Sequence, residues 1–438
     1  MPRSYADRAV ALATLSAVLD RNRPLEEAFD EAAGSKAGGD KLSARDRGFA
    51  RLIASTALKR LGQTDALIAH CLEKPLPPSA QPVRHALRLG VTQLLFLDVP
   101  AHAAIDSAVS LLAKTRHAGF KGLANAVLRR LDREGKTLLD AQDAAWLNMP
   151  DWLWHALVGA YGEVTARAIA AANLTEPPLD ISAKADAALW AERLEGALLP
   201  TGTIRRGFGG AIADLPGYEE GAWWVQDAAA ALPALLLGEV AGKDVIDLCA
   251  APGGKTAQLA HAGAAVTALE LSPNRAKRLA ANLERLDLKA EIVQGDLFDY
   301  RPEAPFDAVL LDAPCSSTGT VRRHPDVPWT KGPQDVDKLA ALQARMLAHA
   351  AMLARPGGLI VFSNCSLDPA EGEDLVRDFL AAAPQVKAEP VRPGEFPFCD
   401  PFLTADGALR TTPAGLKLET PALSGLDGFF AARLRRLA

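Results

Sequence analysis

The stretch Asp247-Leu248-Cys249-Ala250-Ala251-Pro252-Gly253-Gly254-Lys255-Thr256 decides the fold of this 438-residue chain. An apolar run over 244–248 precedes it and a helical pattern over 255–262 follows, so the glycines fall in a turn from strand to helix. Glycine there lets backbone approach a ligand closely at a helix N-terminus. Working outward, strands expected at 244–248, 265–269, 290–293, 307–311 and 358–362 alternate with helices at 255–262, 273–286, 335–353 and 370–381. That alternation predicts an open parallel sheet with helices on both faces, which binds ligands at the carboxyl ends of its strands. The closing run Gly428 to Arg435 reads as one more strand, at an antiparallel edge.

Chemistry-bearing residues fall at those carboxyl ends. Four acids, Asp247, Glu270, Asp296 and Asp312, lie at or just beyond four successive strands. Glu270 follows Asp247 by 23 residues, where a carboxylate can take the ribose hydroxyls of a nucleoside cofactor. Cys315, in Leu311-Asp312-Ala313-Pro314-Cys315-Ser316-Ser317, follows the apolar run Ala308 to Leu311 that ends in Asp312, and Cys365, in Phe362-Ser363-Asn364-Cys365-Ser366, follows a further run, Leu359 to Phe362. Both thiols would emerge at the ligand edge. A nucleophilic thiol needs a nearby cation, helix N-terminus or base, and Lys255 is the nearest cation in the motif set. Gly254-Lys255-Thr256 also imitates a nucleoside-triphosphate loop, but the first glycine of that pattern would fall at 249, which is cysteine. Cys71 and Cys249 read as small apolar fillers, and the pattern leaves Cys399 open.

Residues 5 to 135 carry almost no strand signal. Helices are expected over 5–21, 44–61, 64–72, 82–96, 101–116 and 120–133. This first part holds 21 Lys and Arg against 15 Asp and Glu through residue 140, whereas the whole chain has net charge -5. Lys114, Arg116, Lys121, Arg129, Arg130, Arg133 and Lys136 fall within 23 residues, a basic patch able to neutralise phosphates. A long loop between Ser316 and Pro333, with Arg322, Arg323, His324 and Trp329, is basic with one aromatic and could clamp a nucleic-acid backbone or stack a base. A tryptophan-rich helical stretch over 146–172 and a small α+β part, with strands at 179–184 and 203–206, connect the two. The expected domains are therefore all-α over 1–140, helical linker and small α+β over 141–222, and α/β over 223–438.

The five cysteines are widely spaced, with no CxxC pair and no histidine at ligand spacing, so neither a disulfide framework nor a metal site is expected and a reducing cytoplasm fits. The short apolar run over 9–19 is interrupted as a leader by Asp7 and continues as a helix through Arg21, Arg23 and Glu26. No run approaches the roughly 18 apolar residues a membrane span needs.

The motif set resembles the RNA 5-methylcytosine methyltransferases of the Sun (Nol/Nop/Sun) family. Residues 247–255 are similar to that family's S-adenosylmethionine loop, Asp312-Ala313-Pro314-Cys315 to its fourth motif, Ser363-Asn364-Cys365-Ser366 to its nucleophile motif, and Asp427-Gly428-Phe429-Phe430 to its terminal motif. The helical part, with Pro100-Ala101-His102-Ala103-Ala104-Ile105 and Asn125-Ala126-Val127-Leu128-Arg129-Arg130, resembles the RNA-binding domain related to the antitermination factor NusB. The resemblance implies a NusB-like helical domain, a small RRM-like connector and a Rossmann-like class I methyltransferase domain. It implies S-adenosylmethionine against Cys249, Ala250, Ala251, Pro252, Gly253, Gly254 and Lys255, with Glu270 on the ribose, Asp296 at the adenine and Asp312 in the crevice. It also implies a monomer acting on a cytosine of small-subunit rRNA, of the type that modifies cytosine 967. Cys365 would add to C6 of the base, Asp312 would hold its N3/N4 edge, and Cys315 would help release the product. The family usually has threonine where this chain has Asn364. Three other readings stand beside it: a cytosine-5 methyltransferase acting on another RNA, a DNA cytosine-5 methyltransferase with the cysteine roles exchanged, and a non-catalytic RNA-binding assembly factor.

Overall fold

A computed structural model describes residues 5–34, 42–113, 115–207, 209–396 and 398–437; Lys114 of the basic patch lies outside them. The chain forms two compact units, Met1–Leu174 with Arg323–Gly332, and Thr175–Arg322 with Pro333–Ala438.

The first unit is helical: Ala6–Arg21, Leu25–Gly34, Ala44–Lys59, Leu61–Cys71, Gln81–Leu95, Ala101–Ala113, Lys121–Asp140, Ala144–Leu147 and Asp151–Asn173. One core gathers Leu87, Val91, Ile105, Leu112, Val127, Leu128 and Leu131, which recur at three and four along their helices. A second joins Leu15, Val18, Leu25, Ile53 and Leu58. The unit does not end near residue 140 as expected. Asn148 accepts from the Gln63 backbone N–H (3.1 Å) and donates to the Gln63 side chain (2.8 Å), and Leu153 and Leu157 are buried, so the tryptophan-rich stretch is part of the helical body.

Arg323–Gly332, which lies far along the chain, also belongs to this unit. Asp326 accepts from the Leu25 N–H (3.1 Å), the Trp329 indole donates to the Leu58 carbonyl (3.1 Å), and the Trp152 indole donates to the Pro328 carbonyl (3.1 Å). The indole of Trp329 packs on the core around Leu15 and Leu58.

The second unit contains two sheets. Strands β1 (Leu179–Ala183), β2 (Ala197–Leu198), β3 (Ile204–Arg206) and β4 (Trp223–Val225) form a small antiparallel sheet in the order β2-β3-β1-β4. The larger sheet is built from β5 (Asp244–Leu248), β6 (Ala265–Glu270), β7 (Glu291–Gln294), β8 (Phe306–Asp312), β9 (Ala354–Asn364), β10 (Val386–Ala388), β11 (Leu409–Arg410) and β12 (Phe430–Arg436). Its order is β10-β12-β9-β8-β5-β6-β7, with β11 on β12; β9, β8, β5, β6 and β7 run parallel, and β12 lies antiparallel on β9. Alternate residues of the central strands feed separate cores. Ile246, Leu248, Val309, Leu311, Ile360 and Phe362 enter one, and Val245, Ala308, Leu310 and Val361 the other. Period-two burial on both faces is what a sheet covered by helices on both sides requires.

The small sheet is pinned by an ion pair. Arg205 and Asp180 are fully buried and meet through two bonds (2.7 and 2.6 Å). The same guanidinium donates to the Leu423 (2.9 Å) and Gly425 (2.5 Å) carbonyls, so it satisfies backbone acceptors as well as a charge.

Candidate active site

Strand order reverses between β5 and β8, and the carboxyl ends of these strands carry the first motif and the Asp312–Cys315 segment. Beyond β5 the chain turns through Cys249 (φ +64°) and Gly253 (φ +106°) into the helix Gly254–His261. A Cβ at position 253 would stand 2.6 Å from Leu279 Cδ1, so the turn needs glycine for its conformation and for space. The loop is braced from outside. Asn282 donates to the Pro252 carbonyl (2.8 Å), Arg275 to the Ala251 carbonyl (2.5 Å), and Ala250 N–H to the Leu269 carbonyl (3.1 Å).

This loop walls a cavity of about 360 Å³ that also touches Trp224, Gln226, Asp247 and Asp312. Asp247 is fully buried and burial pushes its pKa up to about 7. One carboxylate oxygen accepts from Thr256 Oγ1 (2.6 Å), and the other, Oδ1, is buried without a partner. Asp312 accepts from Lys255 Nζ (2.7 Å) and Ser363 Oγ (3.0 Å), and that ammonium also stands 4.9 Å from the centre of the Phe429 ring. Lys255 is thus committed to a carboxylate instead of a thiol.

Glu270 and Asp296 are at their strand ends but do not line the cavity. Glu270 is buried and accepts from Ala251 N–H (3.3 Å) and Ser272 N–H (2.9 Å), which makes it a brace of the loop. Asp296 is exposed and caps a short helical turn by accepting from Phe298 N–H (2.9 Å).

The structure brings the two singled-out thiols together. Cys315 Sγ and Cys365 Sγ lie 3.4 Å apart, both reduced and partly exposed. The hydrogen bond with Cys365, then burial, push the Cys315 thiol well above the usual thiol range, so Cys315 stays protonated. Burial pushes Cys249 and Cys399 up to about 12, so neither supplies a thiolate; Cys249 lines the cavity and Cys399 packs in the apolar core.

Below the sulfurs lies a buried polar network that sequence reading missed. The Glu371 carboxylate accepts from the Ser316 N–H (2.9 Å), the Ser316 hydroxyl and the Gln343 side chain (2.8 Å). Ser316 and Ser366 hydroxyls stand 3.1 Å apart. Asn364 donates to the Glu371 carbonyl (2.6 Å) and the Gln343 side-chain oxygen (3.1 Å), and accepts from Ser366 N–H (3.0 Å). Asn364 therefore orients the turn that carries Cys365. Gly319 N–H donates to the Cys365 carbonyl (2.9 Å), and a Cβ at 319 would stand 2.1 Å from the Gly428 carbonyl oxygen.

The expected nucleic-acid residues divide. Arg322 is buried, its guanidinium donating to the Ser424 and Glu176 carbonyls (both 2.8 Å), and Trp329 is held in the helical core; both are corrected from ligand-facing to structural, because their polar groups already have internal partners. Arg323 is partly buried. Arg129 is exposed on the helix Lys121–Asp140 beside Arg133 and Lys136, whereas Arg130 pairs with Glu134 (3.0 Å). Among the described residues no group of three or more His, Cys, Asp or Glu could hold a metal ion, and no helix is long and apolar enough to cross a membrane.

The sequence profile of the family described as 16S rRNA methyltransferase RsmB/F matches residues 234–435, and that of the NusB family matches 6–133. A ribosomal RNA small subunit methyltransferase B from Pasteurella multocida is 32% identical over 98% of this chain and 96% of its own. The chain belongs to the RsmB/F family. Another member, from Pseudomonas putida and bearing the same name, is 36% identical over 100% of this chain and 99% of its own. Among solved structures, the crystal structure of PH0851 superposes over 98% of both chains with TM-score 0.75 at 24% identity, which shows the same fold. A methyltransferase homolog from Pyrococcus horikoshii covers 65% of this chain and 94% of its own at 26% identity and TM-score 0.53. The RsmB/F domain thus includes both cysteines, and the NusB match falls within the helical unit.

Proposed function

We propose that this RsmB/F-family methyltransferase transfers a methyl group from S-adenosylmethionine to C5 of one cytosine in 16S rRNA, cytosine 967 in the type it resembles, through a covalent bond between Cys365 and C6. The observation that carries this reading is the 3.4 Å approach of two thiols from different strands, beside a carboxylate that borders the cofactor-sized cavity. The cavity suits a cationic donor. Asp247 offers a buried oxygen with no partner, and Asp312 a second carboxylate, to a molecule with sulfonium and ammonium charges. The residues that would hold it are Cys249 to Lys255, Asp247 and Asp312, with Glu270 bracing the loop; Asp296, outside the cavity, has no part in this reading. When bound, it supplies an electrophilic methyl group.

Cytosine C5 is a weak nucleophile until a nucleophile adds at C6. The Cys365 thiolate forms that carbon–sulfur bond, Asp312 holds the N3/N4 edge where charge develops, and C5 gains enamine character in reach of the methyl. Loss of the C5 proton to a water molecule that the Cys315 side chain orients then returns the electron pair to the ring, breaks the bond to Cys365 and regenerates its thiolate. The target base has to leave its stack to reach this edge. Exposed Arg129, with Arg133 and Lys136 on one helix, supplies phosphate contacts, and Arg323 adds a further cation. The enzyme works as a single chain in the cytoplasm.

The test is transfer of radiolabelled methyl to protein-free 16S rRNA by wild type, Cys365→Ala and Cys315→Ala, with denaturing gels to catch adducts. Label on cytosine C5, lost in Cys365→Ala and accompanied by a trapped RNA adduct in Cys315→Ala, is the expected result. An adduct in Cys365→Ala, with transfer abolished in Cys315→Ala, would exchange the two roles; absence of any transfer by wild type would favour another RNA substrate or an assembly factor.

A further inference from the structure

Glu371 is fully buried, lies six residues beyond Cys365 and takes no part in the chemistry proposed above. Its contacts are one-sided. The carboxylate holds the residue that follows Cys315, through the Ser316 N–H and hydroxyl, while its carbonyl holds Asn364, the residue that precedes Cys365. Gln343 closes the ring, donating to the carboxylate (2.8 Å) and to the Pro314 carbonyl (3.0 Å) while accepting from Asn364 (3.1 Å). Each of these bonds runs to a residue adjacent to one of the thiols or to the helix that supports them, and none reaches a sulfur.

We propose that Glu371 is a positioning residue that clamps the loop of Cys315 to the loop of Cys365 and so sets the spacing at which the two thiols act in succession. A buried carboxylate is suited to this task because it accepts several hydrogen bonds at once from donors on separate loops. Its charge also adds to the influences that keep the Cys315 thiol protonated, after Cys365 itself and burial. The proposal rests on the two-thiol reading but is tested without methyl transfer.

The experiment compares Glu371→Gln and Glu371→Ala with wild type, after circular dichroism and thermal melting show that each variant folds. The first readout is capture of both thiols by a trivalent phenylarsenical, a reagent that bonds two sulfurs only when they are close. Glutamine keeps the side-chain shape, and Ser316 Oγ can rotate to accept from its amide, so Glu371→Gln retains capture within about threefold; alanine frees the two loops and lowers it at least tenfold on the scale of one lost charge-assisted contact. The second readout is alkylation of Cys315 in a Cys365→Ala background as a function of pH. Glu371→Gln moves its midpoint to lower pH, an effect that a purely structural residue would not produce. Unchanged capture in a folded Glu371→Ala protein, or an unmoved alkylation profile in Glu371→Gln, overturns the proposal. Failure of the methyl-transfer assay with arsenical capture behaving as described would instead strike the two-thiol function and leave the clamp standing.

Discussion

Asp247 shows what burial does to a single group at this site. Its pKa of about 7 in the folded chain stands above the usual 3.8 because desolvation outweighs the bond from Thr256. The folded state therefore binds a proton that the unfolded chain has released, and this contribution to stability is lost as pH rises from about 4 through about 7, on the order of 4 kcal/mol in total. Asp247→Asn should flatten the dependence of melting temperature on pH across that window. A cationic ligand at the free Oδ1 favours the ionised form, so calorimetry of S-adenosylmethionine binding near pH 6.5, repeated in buffers of different ionisation enthalpy, should register proton release by wild type and none by Asp247→Asn. Asn364 makes a second case. Threonine there replaces one polar contact at most, leaving the Glu371 carbonyl or Gln343 oxygen unpaired, and Asn364→Thr should lower unfolding free energy by about 1–3 kcal/mol in urea titration. Methyl transfer should persist, because the resembled family places threonine at this position.

Among the elements, the small sheet depends most on one contact. Asp180→Ala leaves Arg205 buried with its charge uncompensated and should cost roughly 3–5 kcal/mol, read as a lower denaturation midpoint. The larger elements were legible in the sequence for a simple physical reason. The apolar runs of β5, β6 and β8 are bounded by glycine, proline and acids, and the structure places them within a residue of their expected limits. The thiols were legible because they follow such runs. What escaped was polar and distant. Gln343 sits on a helix among alanines and leucines and Glu371 in an acidic segment, and nothing local marks either as part of a site; the bonds that tie them to Asn364, Ser316 and each other span 7 to 55 residues. The loop after Cys315 was misread for the same cause, since a basic stretch with an aromatic looks alike whether it meets a phosphate or, as Trp329 and Arg322 do, carbonyl groups of its own chain. The short strands β2, β10 and β11 carry too few residues for a period to show, and the helix Leu25–Gly34 does carry one, at Leu25, Ala28, Phe29, Ala32 and Ala33, but three of those five residues are alanine.

At the scale of the whole molecule, the helical unit takes its last piece from residues 323–332. A ribosome making this protein releases the helices described for this unit, Ala6–Arg21 through Asp151–Asn173, long before it has translated Asp326 or Trp329. During that interval the Leu25 N–H lacks the Asp326 carboxylate and the Leu58 carbonyl lacks the Trp329 indole, and the N-terminal body is expected to be more open than in the finished chain. Chains arrested near residue 250 should be cut readily by protease within the helical body, and chains arrested near residue 380 should resist; equal resistance would mean that the early helices close without their late partner. Separating the body from the rest by a single cut after residue 174 should likewise yield an incomplete fragment, restored by adding back a peptide that spans 323–332. If the arrested chains behave in this way, the order in which this polypeptide is synthesised is part of how it assembles, since the segment that completes the early helices is reached only when about three quarters of the message has been read.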